Sequence, residues 1–310
     1  MFYVEQKQLE SNLIECSVKV YFNYRDWGEK RMKTEILKGY DYIELWKESM
    51  IDHNGNIPKR LKDDQAEEAF WSSMLERKAR HKPDPYAQIV QQELLTLLNS
   101  DDHVLEIGPG WGNYTFAIAD QVQKLTCIDS SKSIVQFLEA QAADKGIGNM
   151  QLIHEKWENE KARATYDVVF GFNCYYRMYD IGKALLKMNE TANRLVIAGM
   201  TTGPEKPHYM ELQQMGYKIN LRRRDYIHIL NVLYQLGILA NCKIVELQSK
   251  KSYSSYEKLL RDNTTKILNT DYNAREVESV INKYVLEKDG TYEYVYPFHA
   301  ALIYWNPVRL

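Results

Sequence analysis

The sequence of 310 residues has little cysteine, and its four cysteines (Cys16, Cys127, Cys174 and Cys242) are widely scattered. They form no CxxC pair and no cysteine–histidine cluster, so their spacing predicts neither a zinc site nor a disulfide framework. The sequence also lacks any uninterrupted run of about 18 apolar residues, which a membrane-spanning helix would need. Its first twelve residues have charged and amide side chains where a secretion signal needs an apolar core. We therefore expect a soluble cytoplasmic protein with no metal and no membrane partner.

An excess of charge of either sign is also missing, because 40 basic residues stand against 42 acidic ones. Nucleic-acid-binding domains usually carry a clear basic excess, so this balance argues against a nucleic-acid partner. The composition, 45% hydrophobic and 26% charged, is ordinary for a globular protein, and the length allows one elaborated domain or two. Tyrosine is abundant, with 23 residues, which fits either an aromatic-lined pocket or half-exposed packing.

The pattern of the sequence changes near residue 60 and again near residue 200. Residues 1–60 mix aromatic and charged residues without sustained periodicity and are predicted to be an N-terminal appendage. From residue 61 onward, short apolar runs alternate with segments of helical periodicity, which predicts an α/β domain over 61–310 with a parallel sheet between two layers of helices. Within it, residues 201–224 contain two glycines and two prolines and are predicted to be an irregular insertion, partly helical around 208–214, that acts as a lid.

The most informative stretch is VLEIGPGWGN at residues 104–113, a predicted strand that runs into a glycine-rich turn before a helix. Gly108, Gly110 and Gly112 have the spacing G-x-G-x-G. Glycines let the backbone come close to a ligand, and the N-terminus of the helix offers free amides. A dinucleotide fingerprint, G-x-G-x-x-G, would need a glycine at position 113, where the sequence has Asn113.

Two carboxylates accompany the turn: Glu106 stands two residues before its first glycine, and Asp129 ends the next predicted strand. The segments VLEIGPGWG and LTCIDSS resemble the nucleoside-binding half of the class I S-adenosylmethionine-dependent methyltransferases, over residues 86–200. The resemblance implies a Rossmann-like, doubly wound sheet of seven strands, mostly parallel with the last strand antiparallel, and S-adenosylmethionine as cofactor. It also implies that Asp129, with Ser130 beside it, holds the ribose hydroxyls. The glycines would pack against the cofactor, and Glu106 would face its methionine end.

Two further segments are candidates for cofactor contact. Many family members have an acidic residue after the third strand, near the adenine, where this sequence has Lys156 followed by Trp157. Trp157 is therefore the candidate adenine contact, since an indole can stack on a purine, and covering of the sheet edge is the alternative. Residues 172–180 follow the fourth predicted strand and should border the transferable methyl, because ligands lie beyond the carboxyl ends of the strands. Asn173 is the candidate cofactor residue there, and Tyr176 is a candidate catalytic residue.

Candidate acceptor contacts are mainly aromatic. Trp71 and Tyr86 flank a proline-rich linker, and in resembling methyltransferases such N-terminal segments fold over the cofactor; plain helix packing is the alternative. Tyr209 and His208 lie in the predicted lid, Tyr209 as a substrate contact and His208 as a second candidate catalytic residue, with an exposed loop histidine as the alternative. The arginine triplet at 222–224 is interpreted as the solvated start of a helix, although it could bind an acidic substrate or nucleic acid.

Together these residues predict methyl transfer from S-adenosylmethionine to a small-molecule acceptor. The sulfonium methyl is already activated, so the protein mainly has to align the acceptor and exclude water. The alternatives are an RNA methyltransferase, a protein that binds S-adenosylmethionine without turning it over, and an aminopropyl transferase. The sequence leaves open the identity of the acceptor, the methylated atom and the oligomeric state.

Overall fold

The computed structural model of the protein describes residues 40–76, 82–159, 166–203, 205–221 and 224–309. Its strands are β1 (His103–Ile107), β2 (Lys124–Asp129), β3 (Met150–His154), β4 (Tyr166–Phe172), β5 (Ala192–Thr202), β6 (Asn241–Tyr253), β7 (Val285–Lys288) and β8 (Thr291–Trp305). Its helices are α1 (Tyr42–Glu48), α2 (Lys59–Lys62), α3 (Asp64–Glu76), α4 (Ala87–Leu95), α5 (Thr115–Gln121), α6 (Lys132–Lys145), α7 (Ile181–Thr191), α8 (Pro207–Gln214), α9 (Tyr226–Gln235), α10 (Tyr256–Thr264) and α11 (Ala274–Asn282). A short 3₁₀ turn, Tyr175–Arg177, follows β4.

The strands form one sheet in the order β3-β2-β1-β4-β5-β8-β6, and β7 pairs with β8. Neighbours from β3 to β5 are parallel, whereas β8 runs antiparallel to both β5 and β6. The chain winds from β1 towards β3 on one side and from β4 towards β5 on the other. This reversal between β1 and β4 opens a crevice at the carboxyl ends of the strands, where doubly wound sheets bind ligands. The predicted fold class is confirmed.

Hydrophobic cores cover both faces of the sheet. Leu105 and Ile107 of β1 belong to one core, whereas Val104 of the same strand belongs to the core on the other face. This division follows from the alternation of side chains along a strand. Because β1 and β4 are buried on both faces, they appear in the sequence as continuous apolar runs, which is why they could be predicted.

The N-terminal part of the described chain belongs to the main unit, which begins at Asp41. Helix α1 places Trp46 in the core of one face, where its indole N–H donates to the carbonyl of Met178 at 2.9 Å. Of the predicted appendage, residues 1–39 lie outside the described residues, and residues 41–60 belong to the main unit. Helix α1 was missed because about two turns around one buried tryptophan give no sustained periodicity.

The sheet has one strand more than the seven predicted. The helix predicted at 273–286 ends at Asn282, and β7 then pairs with β8 through a two-residue turn of Asp289 and Gly290. Both turn residues have positive φ, 51° and 73°, as a tight hairpin of this length requires. β6 and β8 extend beyond the central sheet here and enclose a small third core, rich in tyrosine, with α8, α10 and α11. In none of the described ranges does a helix combine the length and apolar character needed to cross a membrane.

Candidate functional site

A cavity of about 470 Å³ lies at the carboxyl ends of β1, β2 and β4, a size typical of small-molecule sites. This first cavity is built largely from residues that the sequence singled out. Its wall includes Trp71, Tyr86, Glu106, Gly108, Gly110, Asp129, Ser130, Trp157, Asn173 and Tyr176. The fold thus brings together, at the reversal of strand order, segments that are up to about a hundred residues apart in the chain.

The glycine turn has a backbone that other residues would rarely adopt. Gly108, Gly110 and Gly112 have φ values of 61°, 54° and 90°. A Cβ atom at position 108 would lie 2.6 Å from the Cβ of Cys174, and one at position 110 would lie 3.3 Å from the Trp71 ring. The turn is tied to β2 by the Gly108 amide, which donates to the Ile128 carbonyl at 2.8 Å. The backbone can therefore come close both to its neighbours and to a ligand.

Asp129 ends β2 at the wall of the first cavity and is 9% exposed. Its carboxylate accepts a hydrogen bond from the Ser131 amide at 2.8 Å, and Ser131 is the cap of α6. Burial raises the pKa of Asp129 to about 6, and the nearby Glu67 contributes to this rise. Donors that approach the ionised carboxylate, such as vicinal hydroxyls, would offset its loss of water.

Glu106 lies beside Asp129 at the end of β1 and is 1% exposed. The thiol of Cys127 donates to Oε2 of Glu106 at 3.6 Å. Burial raises the pKa of Glu106 to about 7. The ionised form of a carboxylate that is so little exposed to solvent is stabilised by a cationic neighbour. The hydroxyl of Tyr114, also at the cavity wall, is buried without a hydrogen-bond partner among the described residues. Both groups are suited to contact a polar, positively charged ligand.

Helix α3 covers the glycine turn and is held there by Glu67, which the sequence analysis missed. Glu67 is 2% exposed and accepts hydrogen bonds from the Trp71 indole at 2.7 Å, from Arg60 at 2.8 Å and from the Tyr176 hydroxyl. Burial alone would raise the pKa of Glu67, but the bonds from Arg60 and Tyr176 bring it below its usual value. The only signal in the sequence was a glutamate on the apolar face of α3, three residues before Phe70.

The linker before α4 is fastened to the glycine turn by a reciprocal pair. The Asp84 amide donates to Asn113 Oδ1 at 2.9 Å, and Asn113 Nδ2 donates to the Asp84 carboxylate at 3.0 Å. This explains the asparagine that stands where a dinucleotide site would have glycine. Tyr86 follows the linker, lines the first cavity and packs edge-on against Phe298 with ring centroids 5.6 Å apart.

Asn173 has a positive φ of 54°, a conformation that asparagine tolerates better than most residues. Its backbone amide donates to the Gly199 carbonyl at 2.9 Å, and its side-chain Oδ1 accepts from the backbone amide of Thr201 at 2.9 Å. These bonds join the loop after β4 to β5 and fix the orientation of the side chain. Asn173 and Tyr176 line the first cavity and also a second one, so they stand at the boundary between the two.

The second cavity has a volume of about 390 Å³. Its wall combines residues of α1 and the segment after it with the end of β5 and the segment before α9. The lining residues are Trp46, Ser49, Met50, Ile51, Asp52, Pro58, Asn173, Tyr175, Tyr176, Met200, Thr201, Asn220, Leu221 and Arg224. The predicted lid therefore contributes to a cavity next to the first one, through its two ends and not through its middle.

Trp157 borders the first cavity, but its indole is 3% exposed and packs against α7. The indole N–H donates to the Ala184 carbonyl at 3.3 Å, and the Lys187 ammonium lies 4.1 Å from the ring centroid. These contacts are the ones expected if Trp157 packs within the protein and does not stack on adenine. The adenine contact stays a prediction.

His208 and Tyr209 lie in α8, inside the tyrosine-rich third core, and line neither cavity of the described structure. His208 is fully buried: Nε2 donates to the Asn263 carbonyl at 2.9 Å, and Nδ1 lies 2.6 Å from the Tyr294 hydroxyl. Burial lowers its pKa to about 4, which keeps the ring neutral. The insertion thus contains an ordered helix whose inner face packs away from the site. His208 is therefore not an exposed loop residue, and its catalytic role and the substrate contact of Tyr209 stay predictions.

The same geometry gives no indication of a metal centre. Within the described ranges, no group of three or more His, Cys, Asp or Glu side chains is arranged to hold a metal ion.

Comparison with known proteins gives matches around the glycine turn. Residues 104–194 match the family model described as a methyltransferase domain. The chain is 36% identical over 78 residues to ribosomal RNA small subunit methyltransferase A of Corynebacterium diphtheriae, which is 24% of this chain and 25% of that protein. An uncharacterised protein of Haemophilus influenzae is 28% identical over 188 residues, 58% of this chain and 66% of that protein. The chain therefore spans only a part of each relative's length.

A solved structure of a methyltransferase candidate from Bacillus halodurans has the same fold. It superposes with a TM-score of 0.51 at 12% identity and covers 72% of this chain and 100% of that one. The family match and the sheet order agree with the resemblance seen in the sequence. Residues 104–194, which contain the glycine turn and Asp129, are therefore similar to a methyltransferase domain.

Proposed function

We propose that the protein transfers the methyl group of S-adenosylmethionine to a small-molecule acceptor. The observation that carries the proposal is the pair of adjoining cavities with Asn173 and Tyr176 at their boundary. The first cavity has the glycine turn and two buried carboxylates that suit the cofactor. The second cavity is of a size for a small molecule and is lined mainly by apolar and aromatic side chains.

The side chains of the first cavity fit the polarity of the cofactor. Asp129 would accept hydrogen bonds from the ribose hydroxyls, with Ser130 beside it. Glu106 would balance the positive charge at the methionine end. The turn at Gly108 and Gly110 has no side chain to obstruct the close approach of a ligand. The unpartnered hydroxyl of Tyr114 would gain a partner.

When bound, S-adenosylmethionine supplies a methyl group that is already activated by the sulfonium. The protein's part is therefore alignment and exclusion of water. Asn173, fixed by Thr201 and Gly199, and Tyr176, fixed by Glu67, hold the boundary where acceptor and methyl would meet. Helix α3 covers the glycine turn from the solvent side through Trp71. No dedicated general base is needed for an acceptor that is nucleophilic in its neutral form.

A screen of two acceptor fractions tests the proposal. Purified protein and S-adenosylmethionine with a labelled methyl group are incubated with a small-molecule extract and, separately, with total RNA. We expect label in the small-molecule fraction, and less of it with an Asp129→Asn variant when the cofactor is not saturating. Methylation of structured RNA that falls steeply with rising salt, as phosphate contacts are screened, would contradict the proposal and favour the RNA alternative.

The pH dependence of cofactor binding follows from the two buried carboxylates. In the free protein their pKa values are raised to about 6 for Asp129 and about 7 for Glu106. The ligand binds their ionised forms, so affinity should be constant above about pH 8 and fall as the pH is lowered through this range. Protonation of Asp129 alone weakens binding by about tenfold one unit below its pKa. Calorimetry with S-adenosylhomocysteine between pH 5 and 8 measures the profile.

Two variants separate the contributions of the carboxylates to that profile. Asp129→Asn should bind more weakly and lose the lower step, whereas Glu106→Gln should lose the upper one. A flat profile for the unmodified protein would mean that neither carboxylate contacts the ligand.

The contact of Trp157 with adenine is tested by paired substitutions. Trp157→Ala should weaken binding of S-adenosylhomocysteine by about 1–3 kcal/mol, the usual size of a lost stacking contact, and Trp157→Phe should retain much of the affinity. Calorimetry and thermal unfolding are measured on the same samples. Normal affinity in both variants together with easier unfolding would establish the packing role against α7 instead.

A further inference from the structure

Arg224 places a cationic group in the wall of the second cavity. Its Nη1 donates to the carbonyl of Tyr176 at 2.8 Å, and its guanidinium lies 5.5 Å from the centroid of the Trp46 ring. Among the described residues, no carboxylate lies within ion-pair distance of it. Burial lowers its pKa slightly from the usual value, but a guanidinium remains charged at any physiological pH.

The half-buried guanidinium of Arg224 has no carboxylate partner among the described residues, so it can donate to a ligand in the cavity. Arginine offers five N–H donors in a fork that matches planar or tetrahedral oxyanions, and the bond to Tyr176 uses only one side of it. Leaving a charge partly desolvated and unpaired costs free energy, which an anion in the cavity would offset. The fold therefore pre-organises the remaining donors for a ligand.

The one carboxylate in the wall of this cavity is engaged by its own loop. Asp52 Oδ1 accepts hydrogen bonds from the amides of Asn54 and Asn56, both at 2.9 Å. Asp225, the residue after Arg224, caps α9 and also accepts from Thr202 and from the Gly203 amide at 3.3 Å. These bonds turn both carboxylates towards backbone amides and leave Arg224 as the charged group available to an acceptor.

Most of the other side chains in the wall are apolar or aromatic. They are Trp46, Met50, Ile51, Pro58, Tyr175, Tyr176, Met200 and Leu221, and the polar ones are Ser49, Asn173, Thr201 and Asn220. Burial of an apolar body against such a wall supplies affinity, while a few polar groups fix the orientation of the ligand. The cavity thus suits a molecule with an apolar body and one charged end.

We infer that the acceptor is a small amphipathic anion whose carboxylate or phosphate is bound by Arg224 in the second cavity. This inference rests on the proposed function. Arg224 and Tyr176 are joined by a hydrogen bond, so the group that fixes the anion is coupled to the boundary of the two cavities. Anchoring the charged end there would hold the nucleophilic atom in line with the methyl, which is the main source of rate in such a transfer.

The test measures binding of matched probes to the protein saturated with S-adenosylhomocysteine. Phenylacetate and phenyl phosphate are the anionic probes, and phenethyl alcohol and phenethylamine are the neutral and cationic ones. We expect at least one anionic probe to bind about tenfold more tightly than the alcohol, and the amine to bind most weakly. The ratio of the two anions distinguishes a carboxylate acceptor from a phosphate one.

Three variants show whether the preference depends on Arg224. Arg224→Gln should abolish it, Arg224→Lys should keep a reduced preference because charge remains without the fork, and the exposed Arg275→Gln on α11 should leave it unchanged. The same preference in wild-type protein should weaken with salt, which is a readout that needs no variant.

The outcomes separate this inference from the proposed function. Equal or undetectable binding of anionic and neutral probes, in protein that binds S-adenosylhomocysteine normally, overturns the anionic acceptor and leaves methyl transfer standing. A preference that persists in Arg224→Gln also overturns it. Failure of the wild-type protein to bind S-adenosylhomocysteine overturns the proposed function and this inference with it.

Discussion

Replacement of Asp129 by alanine is expected to weaken binding of S-adenosylhomocysteine by roughly tenfold to a hundredfold. The carboxylate ends β2 at the wall of the first cavity, where it would accept hydrogen bonds from two ribose hydroxyls. Losing two such bonds to a charged acceptor costs about 1.5–3 kcal/mol, which corresponds to that range of affinity. Isothermal titration calorimetry at pH 8, where the carboxylate is ionised, gives the dissociation constants directly.

The matched control is Asp144→Ala, which removes an exposed carboxylate from α6 in the same part of the fold. It should bind the ligand as the unmodified protein does. The Asp129 carboxylate also accepts from the Ser131 amide at the start of α6, so thermal unfolding of both variants is measured in parallel. A folded Asp129→Ala variant with unchanged affinity would contradict the assignment of the ribose site.

The sequence was sufficient to predict the centre of the fold because that part depends on local signals. β1 and β4 are buried on both faces and therefore form continuous apolar runs. The glycines of the turn are required by positive φ and by the close approach of Cys174 and Trp71. Asp129 was found because the acidic residue ends a recognisable strand.

Residues that act through long-range contacts could not be found in this way. In the sequence, Glu67 is an ordinary glutamate of a helix. Only the fold shows that Tyr176, 109 residues away, donates to its carboxylate. Arg224 belongs to a triplet that resembles a solvated helix start, yet it lines a cavity because α1 closes over it. Trp46 and Arg224 contact each other although more than half the length of the chain separates them, and the periodicity of a sequence does not predict such a contact.

The segment around His208 and Tyr209 is more regular than the insertion was predicted to be. Its prolines and glycines predicted an irregular insertion with helix only around 208–214, and Pro207 stands at the first position of α8, where its fixed φ favours a helix. The inner face of that helix then packs into the third core. In contrast, the Asp289–Gly290 dipeptide is typical of a hairpin turn. The hairpin was missed because residues 273–286 were predicted to form one helix.

Glu67→Ala is expected to lower the free energy of unfolding by about 2–4 kcal/mol and to abolish methyl transfer. The substitution removes the acceptor of three half-buried side chains, Arg60, Trp71 and Tyr176. Each lost bond costs about 1 kcal/mol, and donors left without a partner add to this. Helix α3 would then no longer be fixed over the glycine turn, and Tyr176 would lose its fixed position between the cavities. Urea unfolding and the labelled transfer assay measure the two effects.

A second substitution at the same position separates charge from shape. Glu67→Gln retains a side-chain acceptor but removes the negative charge that contributes to the raised pKa of Asp129. The acid limb of cofactor binding should therefore move to lower pH in Glu67→Gln, while Glu76→Ala, at the exposed end of α3, should leave both stability and the pH profile unchanged. Because a merely structural glutamate would not alter the titration of Asp129, an unshifted acid limb in a stable Glu67→Gln variant would show that α3 covers the site without influencing its electrostatics.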